Sequence, residues 1–235
     1  MRRTAIWIVC AVVLLWAGSS AVAHWQPGDG HNMHFPQLPD QNGWDVEFFR
    51  LPVGDDWTAA AAYPITEIHI WTSWYLDDHG YYDWIYVDIF DDAGGVPGNP
   101  LWSYVFTEYE EVHPYGQGWQ GFYNPPLPSW EPNNHQLYQQ VNLYFDDQPF
   151  LPVVGEIYWL IISVDWEGVT QSPPGWKSSL NEYEAGGVFW DYYDYEWDPL
   201  VYPTGEPMHL AFVVGPEPQV PVEATSWGRI KSMFQ

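Results

Sequence analysis

The chain has 235 residues, with 6 Lys and Arg against 31 Asp and Glu and a formal net charge of −25 at pH 7. A surface this negative repels phosphate backbones and anionic headgroups, which argues against nucleic acid or a lipid surface as partner and suits a solubilised exported protein, a divalent cation or a neutral polymer. Disorder is excluded as well, because 17 Trp, 17 Tyr and 11 Phe can each bury on the order of 150–250 Å².

Residues 1–23 read as a secretory leader. Arg2-Arg3 is followed by an apolar run from Ala5 to Ala17 and an Ala21-Val22-Ala23 cleavage site. The run is too short to span a bilayer, so the mature chain is expected to have no transmembrane anchor and to be secreted or at the cell surface. Cys10, the chain's single cysteine, falls inside this leader, leaving a mature domain without disulfides. Between residues 24 and 216 the basic residues are Arg50 and Lys177 alone.

A turn-rich arm over residues 24–40 comes next and carries His24, His31 and His34. Ile65 to Trp74 and Ile85 to Phe90 alternate with period 2, so each predicts a half-buried strand. Ile68, Ile70, Thr72 and Trp74 share the first strand's core face, which turns His69 and Trp71 outward beside Glu67. Asp91 to Pro100, with three Gly and two Pro, predicts a reversal that makes this stretch an antiparallel unit with an acidic loop. Leu101 to Phe106 returns. Glu108 to Pro132 reads as a long irregular connection bearing Trp119, Phe122, Tyr123 and Trp130, and loops of that length are commonly functional. Leu137 to Phe145 alternates again.

Ile157 to Val164 is almost wholly apolar and predicts a central strand covered on both faces. Shorter runs at 175–180 and 188–193 precede a last strand from Met208 to Val214. Residues 24–215 are therefore expected to form one all-β domain, an antiparallel two-sheet sandwich of jelly-roll type. Residues 216–235 form a Pro-rich spacer and a short basic tail, expected to dock on a sorting or surface partner.

Three constellations could carry chemistry. Outward aromatics with carboxylates, Glu67, His69, Trp71, Trp119, Tyr123 and Trp130, suit stacking on sugar rings and hydrogen bonding to their hydroxyls. Asp88, Asp91 and Asp92 could supply oxygens to Ca²⁺, although no EF-hand spacing is present. His24, His31 and His34 form an alternative, copper-type set, since an N-terminal His offers both its amine and its ring to one metal. That geometry resembles the copper brace of lytic polysaccharide monooxygenases, but no other stretch matches those enzymes, so Cu²⁺ ranks below Ca²⁺. No Gly-x-Ser-x-Gly, His-Glu-x-x-His or phosphate-cradling glycine loop occurs.

Several stretches are held in common with a known family: Pro27 to His31, Met33 to Asp40, Gly43 to Val46, Asp55-Asp56-Trp57, Ile65 to Trp74, Pro97 to Trp102, Ile157 to Leu160 and Gly175 to Ser179. In these the chain resembles an uncharacterised exported β-sandwich domain of planctomycete-like and other environmental bacteria. The resemblance spans the mature domain and implies a fold without implying an activity. Members often carry a Cys after the Asp-Asp-Trp element, where this chain has Thr58-Ala59-Ala60-Ala61-Ala62, so a disulfide there is absent. The expected function is a non-catalytic binding or surface-structural module with a glycan or cell-surface component as ligand. The alternative is a metal-dependent extracellular enzyme acting on polysaccharide.

Overall fold

The computed structural model describes residues 25–107, 111–167 and 171–215, so the expected leader, His24 and the tail from residue 216 lie outside the described residues. Twelve strands run through the described residues. They are β1 Trp44–Glu47, β2 Val53–Thr58, β3 Glu67–Trp74, β4 Trp84–Asp92, β5 Pro97–Phe106, β6 Glu111–Asn124, β7 Ser129–Tyr144, β8 Ile157–Asp165, β9 Pro174–Lys177, β10 Val188–Asp191, β11 Glu196–Pro199 and β12 Phe212–Gly215. A short 3-10 turn, Tyr75–Asp77, follows β3. Among the described residues no helix is long and apolar enough to cross a membrane.

The strands make two six-stranded sheets, in the orders β12-β3-β7-β6-β1-β9 and β11-β10-β2-β8-β4-β5. Their apolar faces meet in one core. Ile68, Ile70, Val141, Leu143, Phe212 and Val214 come from the first sheet, and Val53, Trp57, Ile85, Val87, Leu160 and Ile162 from the second. The expected two-sheet sandwich is the fold.

Strand β8 lies between β2 and β4, as its unbroken apolar run predicts. Leu160, Ile162 and Val164 enter the main core, while Trp159 and Ile161 pack on the far face against Phe90, Val188 and Trp197. The reversal after β4 is also where the glycines place it. Gly94 and Gly95 adopt φ of 86° and 93°, where a side chain would be strained, and the Asp92 carboxylate accepts both of their N–H groups. Pro97 and Pro100 sit in β5, an edge strand whose outer side needs no ladder donor.

Two expectations are corrected. Runs β3 and β4 do not pair with each other: β3 joins β7, β9 and β12 in the first sheet, and β4 joins β5 and β8 in the second. Period-2 alternation fixes a strand's faces and not its neighbour. The stretch from Glu108 to Pro132 is not an irregular loop in its described part, because β6 and β7 form a long hairpin with register shifts near Pro114, Gln117 and Gln120. Glycines in it mark close approach and not a break in structure: a Cβ on Gly121 would come within 2.5 Å of the Trp44 ring.

The first sheet closes on itself. Strand β3 pairs with β12 along Glu67 to Ile70 and with β9 along Thr72 to Trp74, while β9 also pairs with β1. The pairings β3-β7-β6-β1-β9 thus return to β3 and form a five-stranded ring within the sandwich. Closure gives the sheet's second face an interior of its own, and all eight positions of β3 are buried. Gly175 makes the closure sterically feasible, since a Cβ there would lie 2.7 Å from Asp45 Cβ and 2.9 Å from the Phe122 ring.

Candidate functional site

The ring's interior is polar. Asp45 on β1 stands directly opposite Lys177 on β9, and period 2 sends both side chains inward with Ser73 on β3 and His135 on β7. Lys177 Nζ lies 3.3 Å from Asp45 Oδ2, and His135 Nε2 donates to the same oxygen at 2.9 Å. Nζ also donates to Gln120 Oε1 and sits 4.9 Å from the Tyr138 ring centre. All three ionisable side chains of this cluster have no solvent exposure.

Burial alone would raise the Asp45 carboxyl, but the Lys177 charge and the His135 hydrogen bond outweigh it and hold the group below its usual range. Burial pulls the Lys177 amine down, against the opposing pull of Asp45. Farther along the interior, Trp71 packs edge-on against Trp25 and Tyr115, and His69 Nδ1 lies 2.7 Å from Asn142 Oδ1.

At the other end the interior opens into a cleft of about 230 Å³ lined by Glu47, Tyr75, Phe122, Asn124, Leu127, Ser129, Glu131 and Pro173. Asn124 Nδ2 donates to Glu47 Oε2 at 2.6 Å, and the Tyr75 hydroxyl donates to Glu131 Oε2 at 2.8 Å. Burial raises the Glu47 carboxyl, with the Asn124 hydrogen bond acting against it. Phe122 separates this mouth from the charged cluster, its ring 5.2 Å from Tyr75 and 6.1 Å from His135. Carboxylates, amide and hydroxyl thus surround an apolar floor.

The candidate residues from the sequence scatter over this frame. Glu67, His69 and Trp71 were expected on the surface and are instead buried, Trp71 against Trp25 of the N-terminal arm and Tyr115, and His69 against Asn142, Tyr144 and Glu67, so this face of β3 is covered and not open to water. Trp119 is 58% exposed. Tyr123, expected outward, is buried at 3% in the core, and Trp130 packs partly buried against it, the two rings stacking in parallel with centres 4.7 Å apart, one residue away from Phe122 and Glu131 of the mouth. Asp88 accepts from Ser103, Asp91 from Asn99 and Asp92 from Gly94, Gly95 and Trp159, so each carboxylate serves its own turn or strand pair. In the arm, His34 is exposed against Phe35. Among the described residues no group of three or more His, Cys, Asp or Glu is placed to hold a metal ion.

The mouth residues Glu47, Tyr75, Asn124 and Glu131 escaped the sequence reading, and Phe122 was read only as an aromatic of the 108–132 stretch, because β1, the turn after β3 and the β6–β7 hairpin contribute them separately. A second aromatic surface was equally missed. The β10–β11 turn exposes Tyr192, Tyr193 and Tyr195 at 53%, 82% and 74%, and the signal Asp191-Tyr192-Tyr193-Asp194-Tyr195-Glu196 was visible in the sequence. The chain belongs to the family described as a domain of unknown function, DUF7901, whose model matches residues 33–215. No curated protein and no solved structure matches it.

Proposed function

We propose that this chain is an exported, non-catalytic binding module and that its ligand is a neutral glycan held at the mouth of the ring. The observation that carries the reading is the cleft's pairing of fixed acceptors and donors with an apolar floor. Glu47 is locked by Asn124, Glu131 is locked by Tyr75, and Phe122 lies between them. Few convergent polar groups around an aromatic surface are the general makeup of small-ligand sites. At about 230 Å³ the cleft falls below the roughly 300–1,000 Å³ of drug-sized sites, so it accepts one ring-sized unit of a longer chain. The net charge of −25 favours an uncharged ligand over an acidic one.

Calorimetric titration with a panel of neutral oligosaccharides tests this proposal. At least one should bind, and Glu131→Ala and Asn124→Ala should each weaken it about tenfold, the loss of one or two hydrogen bonds. Absence of binding across the panel, or affinities untouched by both substitutions, would count against it.

A further inference from the structure

We infer that Lys177 and Asp45 are partners in an intramolecular amide cross-link, formed when the Lys177 amine displaces one oxygen of the Asp45 carboxyl group as water. Lys177 is the one lysine among the described residues, in a chain with a net charge of −25. An acidic surface would welcome it, yet it lies at zero exposure inside the ring, its Nζ 3.3 Å from Asp45 Oδ2. As a plain buried ion pair this arrangement brings little, since desolvating two charges roughly cancels their attraction. As a pair of reactants it is well made. The two residues face each other on paired strands, which holds amine and carboxyl together without further ordering. Desolvation also favours the uncharged amine, the nucleophilic form of lysine.

The step balances within the cluster. A proton passes from the Lys177 ammonium to Asp45, leaving a neutral amine and a neutral acid. Nζ then bonds to Cγ, and the Cγ–Oδ2 bond breaks. Oδ2 leaves as water with the proton already transferred and a second one from Nζ. His135, at 2.9 Å from that same oxygen, is placed to relay the protons. Gln120 and the Tyr138 ring hold Nζ in place. Asp45 Oδ1, on the carboxyl that the Ser73 hydroxyl also approaches, stays on Cγ and becomes the amide carbonyl. No oxidant or cofactor enters. The bond would join β1 to β9 and close the ring covalently across residues 45 to 177, in a domain whose one cysteine sits in the expected leader.

Trypsin reads this directly, because the chain offers cleavage sites at Arg50, Lys177 and Arg229 and otherwise only at its extreme ends. Digestion of the full chain under denaturing, reducing conditions should leave residues 51–229 uncut at Lys177. That fragment should remain bonded to the peptide ending at Arg50, the joined species being lighter than its parts by one water, about 18 Da. Lys177→Arg keeps the charge and the cleavage site but cannot form this amide, and should release separate fragments 51–177 and 178–229. Release of those same fragments from the wild-type chain, with no species missing one water, would overturn the inference. A folded His135→Ala variant should accumulate the uncrosslinked form, and complete cross-linking in that variant would remove His135 from the reaction.

Discussion

Measured against the wild-type chain before the Lys177–Asp45 amide forms, replacing Lys177 with Met is expected to cost about 3–5 kcal/mol of stability at pH 7, the loss that follows when one partner of a buried ion pair is removed. The methionine fills most of the lysine stem's volume, so the loss comes from Asp45, left ionised at zero exposure with His135 as its remaining partner. Domains of ordinary size are stable by about 5–15 kcal/mol, so this one change consumes a large share. The sign with pH follows from the same pair. A carboxyl held below its unfolded value contributes stability that is present above that value and lost as pH falls through the lower folded one. In Lys177→Met that contribution disappears, and denaturant melts should show the gap to the uncrosslinked wild-type chain narrowing between pH 7 and pH 3. Adding Asp45→Asn should restore part of the loss by removing the stranded charge. A Lys177→Met protein as stable as wild type at pH 7 would mean that the interior is wet.

A second large effect lies at the other end of the charge scale. Asp56 on β2 is buried next to Asp55, and burial first, then the Asp55 charge, push its carboxyl up to about 8, with Glu184 adding to the rise. The Ala185 N–H at 3.1 Å and the nearby His209 offset this only in part. Between its unfolded value of 3.8 and about 8 the folded chain therefore holds a proton that the unfolded chain has lost, and stability must fall as pH rises through that window. Asp55 is raised too, by burial, despite the His209 ring 3.6 Å away and the Leu210 N–H. Burial lowers His209, but Asp55, with Asp56 and Glu182, more than reverses this, so its contribution is present below 6.5 and fades as pH climbs through its higher folded value. All three groups act in one direction. Stability should drop by several kcal/mol, in order of magnitude, between pH 5 and pH 9. Asp56→Asn should match wild type near pH 5 and exceed it at pH 9. Parallel profiles for the two proteins would contradict the assignment.

Strand periods and turn chemistry were legible wherever one face met the core, as in β8 and the Asp91 to Pro100 reversal. What stayed hidden was pairing. Nothing in Glu67 to Trp74 tells a reader that its upper half meets Pro174–Lys177 and its lower half Phe212–Gly215. That split closes the ring, and with it His69 and Trp71 pass from an expected surface to an interior. The β6–β7 hairpin was hidden for a related reason: its Gly and Pro residues mimic loop punctuation, while Gly121 is small because the Trp44 ring lies over it. Lys177 could have been read as unusual from charge alone, a single lysine in an acidic domain beside Trp176. Its partners Asp45 and His135 could not, since 132 and 42 residues separate them from it in sequence and the fold alone unites them.

The claim that a glycan is held at the mouth of the ring is tested most directly by mapping amide chemical shifts during titration with the best-binding neutral oligosaccharide. The predicted result is a set of perturbations centred on Phe122, Asn124, Leu127, Ser129 and Glu131, with Glu47 and Tyr75 across the cleft. Perturbations gathered instead at Tyr192, Tyr193 and Tyr195 of the β10–β11 turn would contradict it and move the binding surface to the opposite sheet.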